Sequence, residues 1–241
     1  VFRLSLQGSG PITLAYAGKL QGELQTAEEG MGRSRQWSEG IISRDGVVLD
    51  GNSGWYPLFP DSLQRFSLQV ALPEDWIAIS QGAGPNRTMT PESASMKWSE
   101  GQPQDDIYLI AAPFVTYTQP TARGEAQVYL RKPDPELAQR YLDATADYLA
   151  LYSDLIGPYP YAKFALVENF WETGYGMPSF TLLGPQVIRL PFILTSSYPH
   201  EILHNWWGNS VYIDYETGNW SEGLTAYLAD QAVFVTLVTD P

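Results

Sequence analysis

Both histidines of this 241-residue chain fall in one pentapeptide, His200-Glu201-Ile202-Leu203-His204. The pattern is H-E-x-x-H, and it restricts the local fold sharply. On a helix, residues four apart lie one turn apart on the same face, so both imidazoles can close on a single ion. Glu201 sits roughly 100° further round, close enough to act on a water there. Alone, so short a string is more often an ordinary exposed helical turn, so its surroundings have to be weighed. Ser196, Ser197 and Pro199 supply a helix start, since serine caps well and proline is tolerated in the first turn. Gly208 supplies a stop.

A catalytic zinc usually takes three side chains and leaves a fourth position for water. With no other histidine and no cysteine in the chain, the third ligand has to be a carboxylate. The stretch from Asn219 to Asp230 reads as a second helix, with Leu224, Tyr227 and Leu228 at helical spacing and Glu222 in its first turn. A carboxylate there also complements the helix dipole without any metal. Asp214 and Glu216, in the connecting segment, are rival ligands.

The longer string from His200 through Asn205-Trp206-Trp207-Gly208-Asn209, followed by Trp220-Ser221-Glu222-Gly223, resembles the gluzincin signature of the M1 metallopeptidases. These are the relatives of aminopeptidase N and leukotriene A4 hydrolase. Gly157-Pro158-Tyr159-Pro160-Tyr161-Ala162-Lys163-Phe164 is similar to the segment that enters their catalytic domain. A metzincin is excluded, because Trp207 stands where that class needs glycine and Ser210 where it needs histidine. The resemblance implies one Zn²⁺ per chain on His200, His204 and Glu222, with Glu201 as general base. It implies a peptide substrate and aminopeptidase-type hydrolysis. It also implies an α+β fold, an N-terminal antiparallel β-sandwich (1–123) followed by the first part of a thermolysin-like catalytic domain (124–241). A non-catalytic zinc-retaining scaffold, or an endopeptidase or epoxide hydrolase on the same site, are the alternatives.

Three departures qualify the match. Residues 205 to 221 put seventeen positions between His204 and Glu222, one fewer than the family's usual spacing. The family's G-x-M-E-N loop, whose glutamate grips the substrate's free amine, corresponds to Gly174-Tyr175-Gly176-Met177-Pro178-Ser179-Phe180, which has no glutamate. Glu172 or Glu168 is then expected to read the amine, with Gly176 and Met177 lining the substrate's path. The tyrosine that steadies the oxyanion in the family lies downstream of Pro241, and Val233–Val238 is an apolar, β-branched run. The chain therefore looks like a fragment, whose missing C-terminal portion is expected to pack on the catalytic domain.

The first half alternates with period two in Phe2–Leu6, Phe66–Leu72 and Ile107–Ile110, broken by turn-forming clusters such as Gly82–Asn86. Asn86-Arg87-Thr88 matches a glycosylation sequon and reads as a turn. A strand near Ala126–Leu130 precedes a helix opened by Asp134-Pro135-Glu136, with an apolar face of Leu137, Tyr141, Ala144, Tyr148, Leu151 and Leu155. Trp37, Trp55, Trp76 and Trp98 could belong to a carbohydrate-binding sandwich, but aromatics more often fill cores; Trp206 and Trp207 likewise read as packing. A net charge of −13 argues against nucleic-acid binding. No apolar run reaches the roughly 18 residues a membrane-spanning helix needs. Zero cysteine decides no compartment, with an extracytoplasmic setting favoured over the cytoplasm.

Overall fold

The structure, a computed structural model, describes residues 10–20, 22–29, 33–59, 62–90, 94–214, 216 and 218–239. The strand expected at Phe2–Leu6 lies outside these residues. Strands β1 (Gln25–Glu29) and β2 (Arg33–Trp37) form an antiparallel ribbon. Next come β3 (Ile41–Ile42), β4 (Val47–Leu49), β5 (Gln64–Leu72), β6 (Ile77–Ile79), β7 (Ala83–Met89), β8 (Ala94–Gln104) and β9 (Leu109–Ala112). They build two antiparallel sheets, ordered β3-β4-β9-β6 and β5-β8-β7. In β8 the inward positions Ala94, Met96, Trp98 and Glu100 alternate with more exposed ones, the pattern of a sheet with one buried face. Met96 and Ala94 meet Val47, Leu49, Leu109 and Ala111 across the gap, so the two sheets form a sandwich.

A mixed sheet follows, built from β10 (Val115–Thr121), β11 (Gly124–Leu130), β12 (Lys163–Glu168), β13 (Gly174–Met177) and β14 (Phe180–Leu183), in the order β10-β11-β12-β14-β13. Strands β11, β12 and β14 run parallel, while β10 and β13 are antiparallel edges. All six residues of β12 are buried, as a central strand covered on both faces requires. Ala165 and Val167 face the sandwich side with Ile110 and Ala112, whereas Phe164 and Leu166 face the helices. Strand β9 splits the same way, with Leu109 and Ala111 in the sandwich core and Ile110 and Ala112 against the mixed sheet. The layers therefore run three-stranded sheet, four-stranded sheet, mixed sheet, helices. The mixed sheet begins at Val115.

Helix α1 (Pro135–Leu155) starts as its sequence demands: Asp134 accepts from the Leu137 amide at 3.1 Å and Pro135 takes the first position. Its buried stripe is Leu137, Ala138, Tyr141, Leu142, Thr145, Leu149 and Tyr152. That face is rotated from the expected one, and Leu155 is exposed. The polar Thr145 belongs to the stripe because its hydroxyl bonds the Tyr141 carbonyl and pairs with the Tyr198 hydroxyl. Helix α2 (Ser197–Leu203) carries the pentapeptide, and α3 (Trp220–Thr239) follows it and continues through the β-branched stretch 233–238.

Two expected turns are strand instead. Of Gly82–Asn86 all but Gly82 belongs to β7, whose register with β8 shifts between Ala83 and Asn86, and Asn86–Thr88 lies within that strand. Glycine is used there for close approach: a Cβ on Gly84 would stand 2.7 Å from the Trp98 ring.

Candidate metal centre

Helix α2 begins at Ser197 with Pro199 in its first turn, as expected, but Ser196 does not cap it; its hydroxyl bonds the Phe192 carbonyl instead. The helix packs through Tyr198, Ile202 and Leu203, all fully buried, which leaves His200, Glu201 and His204 on the opposite, half-buried face. The two Nε2 atoms stand 3.0 Å apart. Glu222, in the first turn of α3, brings its oxygens to 3.3 Å from His200 Nε2 and 3.4 Å from His204 Nε2. A tetrahedral zinc with donors about 2.0–2.1 Å away holds neighbouring donors roughly 3.3 Å apart. The three side chains therefore fit a zinc ion. The rivals Asp214 and Glu216 do not join this group.

The tautomer follows from the partners. His204 Nδ1 lies 3.3 Å from the Trp207 carbonyl, which can only accept, so the proton sits on Nδ1 and Nε2 presents its lone pair. Burial, the largest influence, lowers the His204 pKa, and the neutral ring is the ligating form. The same Trp207 carbonyl accepts from Ser221 Oγ at 3.2 Å, and the Trp207 indole donates to Thr225 Oγ1 at 2.8 Å. Trp207 thus ties the end of α2 to the helix of Glu222. Gly208 is required beside it: its φ is +102°, and a Cβ would stand 3.3 Å from His204 Nδ1.

Glu201 points at the edge of the mixed sheet. A Cβ on Gly176 would lie 2.1 Å from Glu201 Oε2, so β13 passes against this carboxylate with only glycine's room to spare. Burial first, then the charge of Glu222, pushes the Glu201 pKa up to about 7. Strand β13 pairs with β14 on one side, and among the described residues no strand pairs with its other edge. The Gly174–Phe180 segment therefore runs beside the candidate metal position, with Gly176 exposed and Met177 buried against the sandwich-facing core.

The other two candidate carboxylates have partners of their own. Glu168 is buried, accepts from the Arg131 amide at 2.7 Å and pairs with Arg189 at 2.8 Å. Glu172 accepts from the Gln186 amide at 3.0 Å, and a Cβ on Gly184 would collide with it. Both hold loops after β11, β12 and β14 in place. A cavity of about 620 Å³ opens instead between β13 and the sandwich, lined among others by Trp37, Glu39, Asp50, Tyr108, Tyr175 and Gly176. Sequence reasoning missed Glu39 and Asp50 because they lie far upstream, and nothing in their spacing links them to H-E-x-x-H. It also missed Ser221 and Thr225, although their four-residue spacing on α3 marks a face turned towards α2. Trp206 is packing, as expected: it is buried, meets Tyr152 and Tyr159 edge-on, and its indole donates to the Gly157 carbonyl.

No protein-family model matches the sequence. Solved structures do match. An M1 zinc metallopeptidase from Deinococcus radiodurans superposes with a TM-score of 0.60 at 17% identity, over 78% of this chain and 45% of that one. A mutant M1 zinc metallopeptidase from the same organism, bound to a Tyr-Ser-Ala substrate, gives 0.56 at 17% identity over 73% and 41%. A two-domain M1 zinc metallopeptidase mutant bound to L-arginine gives 0.57 at 17% identity over 78% and 45%. The chain spans less than half the length of each. At this identity the likeness speaks for the fold: α+β, a β-sandwich like the N-terminal domain of an M1 peptidase, followed by part of the catalytic domain.

Proposed function

We propose that this chain carries the zinc centre of a metallopeptidase, with His200, His204 and Glu222 as ligands and Glu201 as general base. The observation that supports it most is the convergence of three donors at zinc-compatible separations, with a second carboxylate, that of Glu201, between them and a sheet edge unpaired among the described residues. Bound there, Zn²⁺ would supply Lewis acidity, polarising a carbonyl and acidifying water. The protein's residues supply the rest. The outer edge of β13 pairs an extended peptide backbone, bringing a carbonyl beside Glu201. Glu201, whose proton affinity is raised by burial, accepts a proton from the attacking water and delivers it to the departing amine. The two layers divide the work: the sandwich walls the cleft, and the mixed sheet with its helices carries the chemistry.

The finer reading is release of N-terminal residues. A substrate ammonium entering a partly dehydrated cleft needs a carboxylate partner. Glu39 lines the cavity that adjoins Gly176, as does Asp50, whose Oδ1 accepts from the Ser53 amide and hydroxyl; Glu168 and Glu172 are held by main-chain and arginine partners. The full-length protein should bind about one zinc per chain. Glu201→Gln should keep the metal and reduce kcat by about 10²–10⁴-fold on amino-acid arylamides. Zinc-loaded wild type that turns over no peptide, ester or arylamide would favour the scaffold reading. Free-amine substrates should be preferred over their N-acetyl counterparts, and Glu39→Gln with Asp50→Asn should erase that preference. Its persistence in the double variant would refute the assignment to these carboxylates.

A further inference from the structure

Lys163 opens β12 with its side chain 1% exposed. Its ammonium lies over the rings of Trp98 and Phe180, 5.2 and 5.4 Å from their centroids. Among the described residues no carboxylate lies within ion-pairing distance of it. Its hydrogen bonds go to one residue: Nζ donates to Ser179 Oγ at 2.6 Å and to the Ser179 carbonyl at 3.2 Å. Burying an ammonium against a neutral hydroxyl is unfavourable for stability alone, which points to a use for the contact.

Ser179 is itself unusual. Among the described residues it is the one non-glycine with positive φ, at 67°. Met177 pairs with Phe180, so Pro178 and Ser179 are the central residues of the β13–β14 turn. Proline holds the first at negative φ, and positive φ at the second makes the turn type II, where glycine is the favoured residue. Serine gives up that ease and gains a hydroxyl that accepts from Lys163 and from the Gly82 amide of the sandwich, the latter at 3.3 Å. The Ser179 amide donates to Asn205 Oδ1 at 2.6 Å, and its carbonyl accepts from the Ala165 amide at 3.1 Å. Asn205, the neighbour of His204, is fully buried and donates through Nδ2 to the carbonyls of Glu201 and Ile202 at 3.2 and 3.0 Å. A continuous buried path therefore runs from Lys163 through Ser179 and Asn205 to the backbone of Glu201. Three residues before Ser179, Gly176 of β13 faces the Glu201 carboxylate.

We propose that Lys163 and Ser179 are positioning residues that hold the β13 edge and the helix of His200, Glu201 and His204 at a fixed separation. The kinetic consequence rests on the zinc-peptidase reading, and the mechanical coupling does not.

Two variants of the full-length, zinc-loaded protein test it. Ser179→Gly gives the turn its favoured residue and deletes the hydroxyl. Lys163→Met keeps an apolar stem and deletes the amine. Both should lower kcat roughly tenfold or more with KM little changed, as small misplacements of a catalytic group do. Zinc stoichiometry should be unchanged, and both variants are assayed well below their melting temperatures, since Ser179→Gly leaves the buried Lys163 amine and the Gly82 amide without their hydroxyl partner. Hydrogen exchange supplies a readout independent of turnover: Lys163→Met should accelerate exchange both at residues 178–180 and at 202–206, leaving α1 unchanged. Wild-type kcat in Ser179→Gly overturns the proposal, because a turn residue with no other role is improved by glycine. Faster exchange at 178–180 alone also overturns it, since the two elements would then be uncoupled. If the wild type holds zinc and hydrolyses nothing, the peptidase reading fails, and the exchange pattern decides the coupling by itself.

Discussion

Gly176 shows how one missing side chain shapes the candidate site. The atom a Cβ would meet is the tip of Glu201, a flexible side chain, so alanine can be accommodated if that carboxylate swings away. Gly176→Ala is therefore expected to fold and bind zinc normally while losing most turnover. A melting temperature and metal content equal to wild type, with kcat reduced at least as far as a general base contributes, about 10²-fold, would bear this out. Gly208→Ala should behave differently. Its φ of +102° disfavours any L side chain, and the added methyl crowds His204, so stability and zinc affinity should both fall. That His200, Glu201 and His204 share one face could be inferred from spacing, because the helical repeat alone puts them there. The part of Gly176 could not, since the contact joins residues 25 positions apart in two elements.

At the scale of elements, α1 is held by its stripe and its cap. Leu149 is fully buried against the mixed sheet, and Leu149→Ala should cost about 2–5 kcal/mol by denaturant unfolding. Asp134→Ala removes one acceptor at the helix start and should cost about 1 kcal/mol. If the cap variant proved the more damaging of the two, the helix would owe its place to its ends rather than its face. The start of α1 was readable from Asp134-Pro135-Glu136, but its face was not. Aromatic and aliphatic residues occupy more than half of its circumference, and only the sheet's position decides which of them are covered. Helix α3 shows the same limit: Leu224 and Tyr227 keep helical spacing yet lie exposed, while Leu228 packs on the core.

For the molecule as a whole, two linked equilibria can be measured. An ion that binds only the folded state stabilises it by RT ln(1 + [Zn²⁺]/Kd), about 2.7 kcal/mol at a hundredfold excess over Kd. Adding zinc to chelated protein should raise Tm, and His204→Ala should abolish most of the rise. Protons act through Lys163. Burial, the largest influence, lowers its pKa from 10.5 to about 7, with Glu100 and Glu125 pulling the other way. Between those values the unfolded chain binds a proton that the folded one does not, so stability rises with pH across that window. Lys163→Met should lose this slope. Parallel stability curves for the two proteins from pH 7 to 9 would show that Lys163 stays charged when buried.

What the chain's sequence settled by itself is local. The helix of the pentapeptide, the helix that carries Glu222, the strand at Ala126–Leu130 and the cap of α1 all follow from periodicity and capping chemistry within a few residues. Tertiary structure decided everything that depends on a meeting between distant segments. It placed Ala83–Asn86 in a bulged strand, with Gly84 against the Trp98 ring where a Cβ would not fit. It engaged Glu168 with Arg189 and brought Glu39 and Asp50 to the cleft. It also buried Lys163 over two aromatic rings with Ser179 as its partner. A carboxylate's role depends on which charge or amide reaches it first, and that is set by how the layers stack rather than by its neighbours along the chain.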